Sequence, residues 1–445
     1  MQNERICSII SRYGQNVCDN RKGLRLKRHN NRLTLLSIMF SLKKALINIT
    51  AVPRLILLGI LLGIPGGLLG TVFHTSIDHA TELREANPYL LLFLPLGGVV
   101  IAFIYGRFRA KGNIDTKRVF QSVRDNRDVP LVMLPLIFVG TVITHLFGGS
   151  AGREGAALQL GGSMGYNIGR ALKQDKESLK LIVSAGMSSV FAALFGTPLA
   201  ATVFSLEVTG LGVLNFRGLL IGAVSSWLAF ATAHILGVEA VRFDMPAISS
   251  YQAEVVFKII GLAVLCAVLC IIFAVTLKAA ERLMKKYIPN QYIRAVVGGV
   301  VIVMLTVLLK TTDYNGAGMN VITRAISGEV SYSAFILKIV FTALTIGAGF
   351  KGGEIVPTFF IGATFGSLAG SLMGLDAGFC AALGLIALFS GMTKCPVAAF
   401  LLASEVFGAK ALPYFAIVVV IAYICSGRFG LYDNAKEINL IKRRA

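Results

Sequence analysis

Phe147-Gly-Gly-Ser-Ala-Gly-Arg-Glu-Gly-Ala-Ala-Leu-Gln-Leu-Gly-Gly162 decides the reading of this chain, because a second copy follows 200 residues later as Gly349-Phe-Lys-Gly-Gly-Glu-Ile-Val-Pro-Thr-Phe-Phe-Ile-Gly362. In both copies glycines run into an acid, Glu154 or Glu354, and then into a helical pattern. A second element repeats as well. Ala193-Leu-Phe-Gly-Thr-Pro-Leu-Ala-Ala201, ending at Glu207-Val, matches Ala387-Leu-Phe-Ser-Gly-Met-Thr-Lys-Cys-Pro-Val-Ala-Ala399, ending at Glu405-Val. Pro198 and Pro396 are 198 residues apart. Two separate elements with nearly one offset mark a chain of two homologous halves, residues 52–240 and 252–432.

Outside these motifs the sequence is apolar almost throughout. Of 445 residues, 55% are hydrophobic and 15% charged, where a soluble protein carries about 25% charge. Apolar runs at 55–72, 89–105, 131–146, 219–236, 255–275, 295–309 and 336–349 approach or fall short of the roughly 20 residues a membrane span needs. Forty-seven glycines point to close helix packing and interrupted helices. Too few polar residues remain to cover a soluble globule. The expected fold is all-α and polytopic: two repeats of tilted, broken membrane helices. Paired halves of this kind place a substrate site where the broken helices meet at the midplane. Inverted and parallel repeats remain equally open, because short re-entrant helices defeat a span count.

The net charge of +20 sits in tails and connections, at residues 21–32, 107–127, 278–294 and 442–444. Basic connections stay in the cytoplasm, so both termini are expected there and a nucleic-acid partner is not. Residues 1–51 read as a basic, weakly patterned cytoplasmic tail without a signal-peptide cleavage site, with Met39 an alternative first residue. Residues 433–445 read as a short basic end with no regulatory domain behind it. Seven cysteines, an odd number without a C-x-x-C pair, and five scattered histidines indicate neither a disulfide framework nor a metal site. No cofactor is expected. No nucleophile–base pair or phosphate loop speaks for an enzyme.

Glycines ahead of a helix start expose backbone N–H groups, which with the helix dipole attract anions. A carboxylate at Glu154 occupies such a site while charged and has no reason to stay once protonated. Burial disfavours its charged form and the helix N-terminus favours it, which leaves it titratable near neutral pH. This is a gate that couples proton to anion. The plainer alternative is a capping acid paired with Arg153. Glu354 is an acid at membrane depth, functional by default. Its plainer alternative is a salt bridge to Lys351 at the water boundary. Glu207 and Glu405 read as structural groups that hydrogen-bond backbone at a helix end.

At these motifs the chain resembles the CLC family of chloride channels and anion/proton antiporters. Gly152-Arg-Glu-Gly-Ala156 is similar to the family's GREGP, with Ala156 for Pro. Gly353-Glu-Ile-Val-Pro357 stands where the family has GxFxP, with Ile355 for the aromatic. Lys111-Gly-Asn-Ile-Asp115 stands in place of GSGIP, and Tyr432 resembles the tyrosine near the last helix. Val208 replaces the second, intracellular proton glutamate of chloride/proton antiporters. The Phe-Lys-Gly-Gly-Glu run and the missing GSGIP serine are most like the fluoride/proton antiporter branch. The resemblance implies Glu154 as gate and proton carrier, Glu354 as a second acid in the pathway, and anion contacts at Gly152, Arg153, Gly155, Asn113, Ile355, Val356 and Tyr432. It further implies fluoride (or chloride) and protons as substrates, a lipid bilayer as surroundings, and a homodimer with one pathway per subunit in the plasma membrane. Fluoride needs strong donors in place of its water. The Asn113 amide offers two N–H groups where serine offers one O–H, Tyr432 adds a hydroxyl, and protonated Glu154 and Glu354 are donors too. A chloride or general-anion antiporter and a passive anion channel, which the lack of an acid at Val208 permits, are the competing expectations.

Overall fold

A computed structural model of the protein describes residues 52–108, 118–125, 127–213, 215–245, 252–329 and 331–432. Two units are distinguished, residues 1–56 and residues 57–445. Of the first, only 52–56 are described. The basic tail at 1–51, the end at 433–445 and Asn113 lie outside the described residues.

Among the described residues the chain is helical without strands. The elements are α1 (Val52–Ala86), a short 3₁₀ turn η1 (Pro88–Phe93), α2 (Leu94–Phe108), α3 (Arg118–Asp125), α4 (Met133–Leu146), α5 (Glu154–Ala171), α6 (Lys176–Phe195), α7 (Pro198–Thr209) and α8 (Phe216–Ile235). Then come α9 (Ala253–Tyr287), α10 (Gln291–Leu309), α11 (Met319–Ile326), α12 (Ala334–Ala348), α13 (Ile355–Leu372), α14 (Ala377–Thr393), α15 (Pro396–Phe407) and α16 (Leu412–Cys425). Among the described residues, seven spans are long and apolar enough to cross a bilayer, by length and composition. α4, α7, α12, α14, α15 and α16 are apolar but shorter, as the Gly- and Pro-broken pattern anticipates.

Burial separates two kinds of helix. α9 and α10 leave Phe257, Ile272, Met304 and Val307 exposed, a surface suited to hydrocarbon. α5, α6, α13 and α14 bury most of their side chains and form the centre. Their crossings repeat. A Cβ on Gly161 would strike the Gly186 carbonyl, and one on Gly186 the Gly161 carbonyl; Gly362 and Gly384 stand in the same relation. Only glycine permits backbones to meet so closely. Gly384→Val should therefore force α13 and α14 apart, at about 3 kcal/mol or more, and the variant should lose its monodisperse peak in size-exclusion chromatography. An unchanged profile and melting temperature would contradict this packing.

The starts of the central helices are also paired. Asp175 caps α6 by accepting from the N–H groups of Glu177 (3.0 Å) and Ser178 (2.9 Å), and Asp376 caps α14 by accepting from Phe379 (2.7 Å). The Asp175 carboxyl is held below its usual range, chiefly by the Ser178 backbone and hydroxyl donors.

Glu207 and Glu405 settle the orientation of the halves. Glu207, in the last turn of α7, accepts from the N–H groups of Val397 (3.3 Å) and Ala398 (2.8 Å) at the start of α15. Glu405, in the last turn of α15, accepts from Leu199 (3.0 Å) and Ala200 (2.8 Å) at the start of α7. Each helix caps the other's N-terminus, so equivalent helices of the two repeats run antiparallel. The repeats are inverted.

Candidate functional site

The two glycine loops meet. Gly152 N–H donates to the Gly353 carbonyl and Gly353 N–H to the Gly152 carbonyl, each at 2.7 Å, an isolated antiparallel bridge between residues 201 positions apart. Close approach explains the glycines at this point: a Cβ on Gly155 would lie 2.8 Å from Gly353 Cα, and one on Gly353 would lie 2.5 Å from Gly155 N. The bridge sets the N-terminus of α5 beside that of α13. Neither helix has a side-chain cap from its N-cap residue, and Pro357 has no N–H to offer. First-turn N–H groups have no acceptor in their own helix, so the positive ends of two half-helices converge.

Glu154 is the first residue of α5 and is 2% exposed. Its Oε2 accepts from the Arg153 N–H at 3.1 Å, and its Oε1 lies 3.8 Å from Arg153 Nε. The carboxylate is folded onto its own helix start, where the glycine pattern places an anion. The Arg153 guanidinium reaches outward and pairs through Nη1 with Asp78 of α1. Ion pairing of Glu154 with Arg153 thus coexists with a position at the helix convergence.

Glu354 stands at the N-cap of α13 and is half-buried. Its carbonyl accepts from Thr358 N–H at 3.0 Å and from the Thr358 hydroxyl at 2.7 Å. The Tyr432 ring packs on Phe120 of α3 at 4.8 Å between centroids. Ile355 and Val356 are wholly buried, and Val356 Cβ borders the space above Gly152. The Lys351 ammonium lies over the Tyr105 ring, 4.4 Å from its centroid. Of the residues singled out from sequence, Gly152, Arg153, Glu154, Gly155, Glu354, Ile355 and Val356 are brought to one place. Tyr432 lies against α3.

Sequence reasoning missed what supports the convergence. One stripe of α12, at helical spacing, grips the loop before α5. Thr345 Oγ1 accepts from Ser150 N–H (3.0 Å), Thr342 Oγ1 pairs with Ser150 Oγ (3.0 Å), and Lys338 donates to the carbonyls of Tyr314 (3.2 Å) and Gly316 (2.8 Å). That second loop binds the first: Asn315 Nδ2 donates to the Gly148 carbonyl (2.8 Å) and Gly316 N–H to the Gly149 carbonyl (3.1 Å). A lone lysine inside the apolar run 336–349 was the available signal. Asp78 and His74 gave none, being two polar residues in a long amphipathic stretch.

Residues 97–427 match the family described as "Voltage gated chloride channel". A chloride/fluoride channel protein of Pseudomonas syringae pv. tomato is 30% identical over 84% of this chain and 84% of its own length. An H(+)/Cl(-) exchange transporter, ClcA of Vibrio cholerae, is 26% identical over 78% of this chain and 81% of its own. Among solved structures, the crystal structure of a CLC-type fluoride/proton antiporter superposes with a TM-score of 0.81 at 33% identity, over 85% of this chain and 97% of that one. With inverted repeats, broken helices and two helix ends brought together by a glycine bridge, the chain belongs to the voltage-gated chloride channel (CLC) family of membrane transport proteins.

Proposed function

We propose that this protein exports fluoride from the cell by F⁻/H⁺ antiport, with Glu154 as the gating carboxylate. The observation that carries the reading is the folding of the Glu154 carboxylate onto the α5 N-terminus, at the point where the Gly152–Gly353 bridge brings in α13. A charged Glu154 holds the place of a small anion. Protonation removes the charge that the helix end attracts, the side chain leaves, and fluoride takes its place. Release of the proton on the other side brings the carboxylate back and expels the anion. Glu354, at the N-cap of α13, is the second acid in the pathway. Gly152, Arg153, Gly155, Ile355, Val356, Tyr432 and Asn113 form the anion-binding set. Fluoride is favoured over chloride by the likeness to the 33% identical CLC-type fluoride/proton antiporter and by the donor chemistry the sequence assigns to the site; the 30% identical relative is named for both halides.

The same reading takes residues 52–240 and 252–432 as the two repeats. It takes the protein as a homodimer with one pathway per subunit in the plasma membrane, surrounded by lipid, with both termini in the cytoplasm. Secondary active transport is its activity.

Liposome flux tests it. Vesicles holding the purified protein and loaded with fluoride or chloride should release fluoride while taking up protons, and should release chloride at least about tenfold more slowly, a preference of ~1.4 kcal/mol. Equal rates for both halides would leave a general-anion antiporter. Fluoride release with no proton uptake would leave a passive channel.

A further inference from the structure

We propose that Asp78, clamped by His74, is a positioning residue for the gate: it shares the Arg153 guanidinium with Glu154 and so sets the pH at which Glu154 leaves the helix end. The inference rests on the reading of Glu154 as gate.

The groups form a chain. His74 Nε2 lies 3.1 Å from Asp78 Oδ2, one turn further along α1. Asp78 Oδ1 accepts from Arg153 Nη1. Arg153 Nε stands 3.8 Å from Glu154 Oε1, too long for a good hydrogen bond. Arg153 thus spends its short contact on Asp78 and keeps a loose one for the gate. The outer end of the chain borders a cavity of about 290 Å³, into which Asp78 and Arg153 both face. The Asp78 side chain is 45% exposed, that of Arg153 12%, and that of Glu154 2%. Protons reach Asp78 from water, while Arg153 lies between that water and the buried gate.

The other charged and titratable groups at this place are Glu82, Arg84 and Glu85 on α1, His145 at the end of α4, and Asp313 ahead of α11, with Glu354 and Lys351 on the loop leading into α13. Arg84 is committed to the His145 carbonyl at 2.8 Å, and Asp313 to Arg324 at 2.7 Å. Arg153 is the guanidinium in contact with Glu154, and Asp78 is its short-range partner. His74 Nδ1 is buried and has no hydrogen-bond partner, so the imidazole's polar contact is the one it makes with Asp78. That contact holds the aspartate toward Arg153.

The sign follows from charge. Removing the Asp78 carboxylate lets Arg153 close on Glu154, and it takes away a negative neighbour of Glu154. Both changes favour the charged gate. Opening then needs more acid.

The test uses the full chain in liposomes, with proton-coupled fluoride flux followed across a pH series. Asp78→Asn should move the half-maximal pH downward by about one unit, and Asp78→Glu should restore it. His74→Leu, which leaves the carboxylate but removes its clamp, should move it the same way by less. In a Glu154→Gln background, where the gate no longer titrates, Asp78→Asn should leave the pH dependence of anion flux unmoved. A structural role alone would change rate or yield without moving the profile. A wild type that couples protons, with Asp78→Asn and His74→Leu at unchanged half-maximal pH or with a shift that persists in Glu154→Gln, overturns the inference and leaves the antiport reading standing. A wild type that moves fluoride without protons defeats the antiport reading, and this inference with it.

Discussion

Glu154→Gln is expected to uncouple the protein: anion movement persists, and proton uptake falls to the background of empty vesicles. The substitution keeps shape and removes both functions of the carboxyl. An amide takes up no proton in the working range and carries no negative charge to compete for the helix end. In the present geometry the carboxylate is held by the Arg153 N–H at 3.1 Å and faces the Arg153 guanidinium at 3.8 Å. An amide oxygen makes a weaker bond to the same donor, since a charged acceptor is worth roughly twice a neutral one. The gate is therefore open more of the time as well as blind to pH. The loss of coupling should be complete within the sensitivity of a pH-indicator assay, at least about 100-fold in protons moved per anion, or roughly 3 kcal/mol of coupling. Coupled exchange at the wild-type ratio in this variant would remove Glu154 from the mechanism, and the pathway would have to run through Glu354 alone.

Lys338→Met is expected to destabilise the protein by about 3 kcal/mol and to slow transport with it. Two effects oppose one another. An ammonium buried in an apolar bundle is costly, and replacing a buried ion pair by a hydrophobe of like volume is often harmless. Lys338, however, forms no ion pair among the described residues. Its partners are the carbonyls of Tyr314 and Gly316 and the face of Phe360, 4.9 Å from the nitrogen. Methionine would leave two buried carbonyls without a donor, at about 1–3 kcal/mol each, and this outweighs the relief of the charge. The carbonyls belong to the loop whose Asn315 and Gly316 hold Gly148 and Gly149. The loss therefore propagates to the α5 N-terminus. A melting experiment in detergent should show the drop, and fluoride flux per folded molecule should fall about tenfold. Wild-type melting and flux together would mean that the α12 stripe does not support the site.

Much of the architecture is legible in the sequence. A glycine run into an acid and then into a helical pattern is a local signal, and so is a proline at the first position of α7 and α15. Their recurrence at offsets of 200 and 198 made two repeats a matter of counting. Gly152, Arg153, Glu154, Gly155, Glu354, Ile355 and Val356 could be singled out for the same reason, because each lies within a few positions of a helix start, whereas Tyr432 and Asn113 were named from the resemblance. Lys338 was legible in principle as a charge in an apolar run, but its partners at Tyr314 and Gly316 could not be named from spacing.

Sequence alone determined that this is a two-repeat membrane protein with broken helices that begin at Glu154 and just after Glu354. Tertiary structure alone decided that the repeats are inverted, through the mutual capping of Glu207 and Glu405. It also decided that the two helix starts touch at Gly152 and Gly353, and that Asp78 pairs with Arg153 next to Glu154. The division has a physical cause. Helix starts, caps and apolar runs are governed by neighbours a few residues away, whereas hydrogen bonds between segments 75 to 206 positions apart depend on how the whole bundle packs.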